Sequence, residues 1–369
     1  MLRFLIVQTT ASVVGLQCWM ILFNNFAVEV AGLDGLQIGI IGSVREIPGF
    51  LALLAVFVML VIREHRLSAL SIVFLGAGTA LTGMFPSFTG LVITTLIMSF
   101  GFHYYETTNQ SLTLQYFNTA TSPLIFGRLR SLAAATSIVV ALLLFLMGLA
   151  FSYRVMFLTV GSLVAAAGIW GLLQDPTHKE VPPQHRRMIF RRRYFLYYFL
   201  TFMAGARRQI FVAFSVYLLV KVFECSVTEI TLLFVVNNAV NYVLSPAIGR
   251  AIVRFGERRV LSLEYGGLIG VFLVYAFTGS KLIAVAMYIL DHILFNFSIA
   301  IRTYFQKVAD PKDIAPSMAV GFTINHIAAV VMPAIGGALW MVDYRIPFVA
   351  GAVLSLVSLL AVQRIPRPA

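Results

Sequence analysis

Arg207 and Arg208 sit side by side in the apolar run from Tyr194 to Val220, a stretch long enough to cross a bilayer. At that depth the pair carries a penalty of roughly 5 to 7 kcal/mol on insertion scales. A chain that keeps them must supply a water-filled cavity, a carboxylate partner or an anionic ligand. The planar guanidinium fork matches a carboxylate or phosphate with two hydrogen bonds, so the chemistry is ion pairing or anion recognition. Successive helical residues point about 100° apart, and only one of the two can aim squarely at a cavity. Arg208 shares its face with Thr201, Gly205 and Ser215 and is assigned to the solute. Arg207, with Leu200, Met203 and Phe214, is assigned to an ion pair, with Asp291 or Glu106 as partner.

Other polar side chains fall into stripes at helical spacing. Ser99, His103, Glu106, Gln110 and Thr113 form one continuous stripe, and Thr10, Gln17 and Asn24 recur on one face of the first apolar run. Asp291, Ser298 and Arg302 align, with His292, Asn296 and Thr303 on an adjoining face. His103 and Glu106, one turn apart, can exchange a proton near neutral pH. The expected substrate-binding residues are Arg208, Gln17, Asn24, His103, Gln110 and Asn296. Those expected to couple protons or form ion pairs are Glu106, Asp291, Arg207, Arg45 and Glu46, with Arg45 and Glu46 read chiefly as packing or gating. Asn237, Asn238 and Asn241 read as hydrogen-bonding glue between helices. No metal-ligand cluster, glycine-rich phosphate loop or nucleophile constellation is visible, so the expectation is no enzyme, no metal and no cofactor.

The elements that must position these residues follow from composition. Hydrophobic residues make up 60% of the 369 and charged residues 11%, which is outside the range of soluble domains. Apolar spans read at 4–28, 37–62, 67–86, 88–116, 130–151, 155–173, 194–221, 228–253, 260–279, 281–307, 316–340 and 345–363. These are runs of helix length, without the ten-residue alternation of a barrel. The fold class is therefore all-α integral membrane, with twelve transmembrane helices.

The net charge of +12 raises the question of nucleic acid, but its placement answers to topology instead. Arg154, Lys221, Lys281 and Arg345 lie on one side, and Arg45, Arg207, Arg208 and Arg302 lie within spans. Every other lysine and arginine falls on the side of the termini, which predicts that both termini are cytoplasmic. The first span carries no cleavage site and reads as a retained helix. The long basic connection, with Pro176, Pro182 and Pro183, separates six spans from six. The division is thus 1–173, an N-terminal six-helix bundle; 174–193, a cytoplasmic basic linker; and 194–369, a C-terminal six-helix bundle. Cys18 within a helix and Cys225 in an outer loop are poorly placed for a disulfide.

Between the eighth and ninth spans the chain reads Gly249-Arg250-Ala251-Ile252-Val253-Arg254-Phe255-Gly256-Glu257-Arg258-Arg259. This resembles the cytoplasmic loop signature G-x-x-x-D-R-x-G-R-R of the major facilitator superfamily, through Gly249, Arg254, Gly256, Arg258 and Arg259. The acidic position is held by Val253, and the matching first-half loop keeps only Arg63-Glu64-His65-Arg66. The resemblance implies two six-helix bundles, with helices 1, 4, 7 and 10 lining a central cavity. The polar stripes lie on those four helices. Two marks of the family's drug antiporters, an arginine in the fourth helix and a Gly-Pro-x-x-Gly-Gly stretch in the fifth, are missing. Met332-Pro333-Ala334-Ile335-Gly336-Gly337 in the eleventh reads as a close-packing kink.

The reading is a secondary transporter of a small anionic or zwitterionic organic solute, proton-coupled and without an ATP-binding signature. Its partners are that solute, protons and the lipid bilayer, with no nucleic acid; it is expected as a monomer in a bacterial cytoplasmic membrane. Efflux of amphipathic drugs is the alternative within transport, and a transporter-like receptor or scaffold without turnover is the alternative outside it. The charge pattern predicts that single cysteines at Gln184 and Ala369 react with impermeant thiol reagents only after the cells are opened. Labelling of either from outside intact cells would reverse the orientation.

Overall fold

The computed structural model describes residues 1–177, 181–185 and 188–366. Lys179, Arg186, Arg187 and Arg367 of the charge pattern, and Ala369, lie outside the described residues. The chain is helical throughout, with no strand among the described residues. Twelve helical segments are labelled in order, an interrupted segment keeping one label. They are α1 (Leu2–Glu29), α2 (Gly35–Phe50, continuing through a 3-10 turn to Val58), α3 (Glu64–Thr82), α4 (Phe88–Tyr116), α5 (Ser122–Gly148) and α6 (Tyr153–Leu172). Then follow α7 (Phe195–Gln209, continuing through a π turn to Lys221), α8 (Val227–Phe255), α9 (Glu257–Phe277), α10 (Lys281–Phe295, continuing through a 3-10 turn to Val308), α11 (Ile314–Val342) and α12 (Arg345–Val362). By length and composition, ten segments are apolar enough to cross a membrane among the described residues. The other two, α3 and α11, are 19 and 29 residues long.

Local chemistry sets the starts and the interruptions. Asp34 with Gln37, and Ser226 with Glu229, form capping boxes at the N-termini of α2 and α8, satisfying amide groups that a helix leaves open. Gly256, at φ 78°, turns the chain between α8 and α9 in a conformation that disfavours any side chain. Pro48 lies two residues before α2 gives way to its 3-10 turn at Leu51–Leu54. Pro246 is inside α8 and cannot donate to the carbonyl of Tyr242, four residues earlier. The Ser131 hydroxyl of α5 donates to that carbonyl at 2.6 Å.

The expected spans and the observed helices agree closely except at α5. That helix begins at Ser122, ahead of the expected residue 130, so Arg128 and Arg130 are helical rather than loop charges. The apolar run marks only the part of a helix in contact with lipid. The first turns of α5, with Pro123 near the start where a missing amide hydrogen does no harm, carry polar residues that a hydropathy reading takes for loop.

The chain forms two compact units. The first comprises Met1–Tyr116, Leu132–Ile189 and Pro311–Thr323, and the second Phe117–Ser131, Phe190–Asp310 and Ile324–Ala369. In the first unit α3 is clasped between α4 and α6, with α1 against α6 and α2 against α4. Glycines permit this clasp. A Cβ on Gly76 of α3 would stand 2.3 Å from the Ala165 nitrogen of α6, and one on Gly101 of α4 would stand 2.3 Å from the Leu75 nitrogen. The core around Trp19, Phe23, Phe26, Leu75 and Phe157 fills the space beside these contacts. In the second unit α9 packs on α12 and α10, α12 packs on α7, and α8 packs on α10, around Phe214, Phe272, Tyr275 and Phe348.

Gly76→Ala meets rigid backbone and is expected to destabilise by about 1–3 kcal/mol or more. Gly266→Ala, at a site with nothing within 4 Å, should be tolerated. Thermal unfolding of the two variants in the same detergent checks the contrast, and equal midpoints would remove the close-packing account of the first unit.

Candidate functional site

In the first unit Arg45, Glu46 and His103 come together where α2 meets α4. Arg45 and Glu46 are sequence neighbours that pair with each other, Arg45 Nη2 standing 2.8 Å and Nε 3.2 Å from Glu46 Oε1. Such a fork neutralises both charges locally. The Arg45 guanidinium also lies 5.6 Å from the centre of the Trp19 ring of α1. The Ser99 hydroxyl of α4 donates to the Arg45 carbonyl, fixing α2 against the polar stripe. One turn along that stripe, His103 brings its imidazole within 4.8 Å of the Glu46 carboxylate. His103 is buried and is flanked by Phe102 and Phe322.

Glu106, half-buried, accepts from Gln110 Nε2 at 3.3 Å. An acid near His103 is thus Glu46 on a neighbouring helix, a proximity that spacing along α4 alone does not reveal. On α1, Gln17 is half-buried and Asn24 exposed, while Thr9 bonds the buried Tyr105 hydroxyl at 2.8 Å and ties α1 to α4.

In the second unit the two arginines part company. Arg208 is exposed, its guanidinium 5.6 Å from the centre of the Phe295 ring of α10. Arg207 is 3% exposed. Its Nη2 stands 3.7 Å from Glu264 Oε1 of α9, its Nη1 donates to the Ser358 hydroxyl of α12, and the guanidinium covers the Tyr265 ring at 4.3 Å. The partner against Arg207 is therefore Glu264, a residue the sequence reading did not single out. The signal was present, since Glu264 is an acid inside an apolar span. Asp291, 2% exposed on α10, lies within electrostatic reach of Arg207. Directly after these residues the helices change geometry: α7 becomes a π turn at Ile210–Ser215, and α10 a 3-10 turn at Asn296–Ser298. Such interruptions gather at functional sites and hinges.

A second buried network holds α5, α8 and α10 together. Asn241 Nδ2 and His292 Nε2 lie 2.7 Å apart, Asn296 Nδ2 donates to Asn241 Oδ1 and to the His292 carbonyl, and Arg130 Nε donates to Asn296 Oδ1 at 2.6 Å. Asn296, read as a solute contact, is engaged by three protein groups, and Asn241 acts between helices.

The loop residues are equally specific. A Cβ on Gly249 would stand 2.5 Å from the Pro123 carbonyl. Arg258 donates through Nε and Nη2 to Gln363 Oε1, at 3.1 and 2.9 Å. Arg254 and Arg259 are exposed, and the acid after Gly256, Glu257, is buried and receives Lys307 Nζ at 2.8 Å. Cys18 and Cys225 are free thiols.

These helices, their order and their polar faces define a twelve-helix transporter architecture. The Major Facilitator Superfamily description matches residues 7–313, and the chain belongs to that family. Solved structures with a similar fold include the E. coli fucose:proton symporter FucP, with TM-score 0.81, 12% identity, and 100% of this chain and 98% of that chain covered. The human organic anion transporter MFSD10 gives TM-score 0.77 at 12% identity over 98% of each chain. A bacterial homologue of the iron transporter ferroportin, in an outward-facing state, gives 0.79 at 14% over 98% of each. A comparison with curated protein sequences finds no match. The chain is an integral membrane protein of a transporter family.

Removing one member of a sealed ion pair leaves the other charge buried, at a cost of roughly 3–5 kcal/mol. Arg207→Ala is therefore expected to lower the unfolding midpoint sharply, whereas Arg208→Ala should barely change it. Arg207→Met combined with Glu264→Leu should recover most of the loss. A double variant no better than Arg207→Ala would count against an ion pair.

Proposed function

We propose that the protein is a secondary transporter that moves a small anionic or zwitterionic organic solute by alternating access, coupled to protons. The observation that carries this reading is the division of labour on α7. Arg207 is consumed by Glu264 and Ser358, while Arg208 presents an exposed guanidinium beside an aromatic ring, next to an irregular turn in the same helix. An aromatic ring beside a guanidinium stacks on its face, and the planar fork of an arginine matches a carboxylate or phosphate. Two of the structural neighbours are described as an organic anion transporter and as a sugar:proton symporter, which agrees with the reading.

Coupling is assigned to the buried and half-buried acids, Glu106 in the first unit and Asp291 in the second. The chain is placed in a bacterial cytoplasmic membrane as a monomer, with both termini in the cytoplasm. The bundles are 1–173 and 194–369, joined by the basic segment 174–193.

The test begins with a thermal-shift screen of organic anions, zwitterions and cations against the purified protein at two pH values, followed by counterflow in liposomes. For the solute so found, Arg208→Lys keeps the charge but loses the fork and should weaken binding about tenfold, and Arg208→Ala about a hundredfold. Unchanged affinity in a well-folded Arg208→Ala protein, or preference for organic cations, would overturn the anion reading.

A further inference from the structure

Where α7 begins and α12 ends, the two helices enclose a groove of about 290 Å³. Its walls are Phe195, Leu196 and Phe199 of α7 and Val357, Leu360, Ala361 and Arg364 of α12. In α12 these residues recur at i, i+3, i+4 and i+7, a single stripe that starts on Val357 and ends on Arg364. In α7 the three wall residues stand three, four and seven positions after Arg192. The 3-10 turn Arg192–Tyr194 leads directly into α7, so Arg192 continues that stripe outward by one turn. The groove is thus apolar along its length and carries an arginine from each helix at its outer end.

Phe195 and Leu360 are 57% and 65% exposed, so the groove opens on the outer surface of the unit, which hydrocarbon covers when these spans lie in a bilayer. The charge at its mouth is not balanced from within. Arg193 is held against the Tyr194 ring at 4.7 Å and lies 4.0 Å from Asp310 Oδ2. Glu257 of the neighbouring α9 is taken by Lys307. Arg192 and Arg364 are exposed, and neither makes an ion pair or a side-chain hydrogen bond among the described residues. The end of α12 is fixed all the same. Gln363 accepts from Arg258 Nη2 at 2.9 Å and donates to the Ser262 hydroxyl of α9 at 3.0 Å, which leaves Arg364, about 100° around, on the side of the groove.

We propose that this groove binds a membrane phospholipid with a net negative headgroup, an acyl chain lying between α7 and α12 and the phosphate between Arg192 and Arg364. A guanidinium fork matches phosphate oxygens with two hydrogen bonds, and basic side chains at the membrane surface attract anionic lipid. A zwitterionic headgroup brings its own cation to the same place and gains less. A second copy of the chain is a poor occupant, because a symmetric contact through this face would set arginine against arginine. The bound lipid ties the first turn of α7 to the last turn of α12. None of this rests on the transport reading.

The experiment uses the full-length protein, delipidated in detergent, with phosphatidylglycerol or phosphatidylcholine of identical acyl chains added. Native mass spectrometry counts the bound lipid, and unfolding midpoints are recorded in parallel. Phosphatidylglycerol is expected to bind about tenfold more tightly than phosphatidylcholine and to raise the midpoint further. Arg192→Gln combined with Arg364→Gln, both at exposed positions, should stay folded, retain phosphatidylcholine and lose the preference. Leu360→Gln places an amide in the groove and Ala361→Trp fills it, each with both arginines in place, so each should weaken both lipids. Two groove variants guard against a folding defect in one. Equal binding of the two lipids by the wild type, a preference kept by the double arginine variant, or undiminished lipid binding in both groove variants would overturn the site. Inorganic phosphate that raises the midpoint as far as phosphatidylglycerol does would also overturn it, in favour of a simple anion site.

Discussion

A guanidinium cannot shed its charge, and Arg207 carries one into the interior of a membrane protein. Everything around it answers that fact. α9 supplies an acid, α12 a hydroxyl and Tyr265 an aromatic face, so three neighbouring groups converge on one side chain of α7. Their geometry sets which face of α7 turns inward. Arg208, one residue on and about 100° around, is thereby turned away from the same enclosure. The exposed guanidinium is a consequence of the buried one. Register along α7 is fixed by a polar anchor because lipid and core side chains, equally apolar, distinguish its faces only weakly.

The same absence of water governs the backbone. Where Pro246 deprives the Tyr242 carbonyl of its helical donor, Ser131 of α5 replaces it, and the loss becomes a joint between helices. Where association cannot draw on a hydrophobic drive, α3, α4 and α6 approach until backbone touches backbone, through Gly76, Gly101 and Gly161. Gly249 belongs with these. In the sequence it marks a family loop; in the structure it is the point where α8 admits the Pro123 carbonyl.

What the sequence discloses follows from this physics. Spans are legible because lipid demands unbroken apolar runs, and α4 starts and stops where its run does, at Phe88 and Tyr116. The start of α5 is not, since its first turns meet protein, and Arg130 there bonds Asn296 rather than solvent. The unusual groups are legible one at a time: Arg207, Asp291, His103 and Glu46 all stand out as costly in an apolar stretch. Their partners are not. Pairing Arg207 with Glu264, or bringing His103 near Glu46, depends on the relative height and rotation of two helices, which no spacing within either helix records. Glu264 is as costly in its apolar stretch as Arg207 is, but it lies on α9, outside the four helices that the family resemblance places at the cavity.

Rigidity and irregularity are distributed unevenly over the second unit. α9 and α12 are uninterrupted and pack closely, with Phe272 against Gly351 and Phe348 against Tyr275. α7 and α10 each break their hydrogen-bond pattern in mid-course. The buried charges lie across this division, Glu264 on a continuous helix and Arg207 and Asp291 on interrupted ones. The ion pair of Arg207 and Glu264 thus ties an interrupted helix to a continuous one. Irregular turns of this kind inside helices gather at hinges and functional sites. Arg208, one residue past Arg207 and two before the π turn, takes its direction from the register that the buried pair sets for α7.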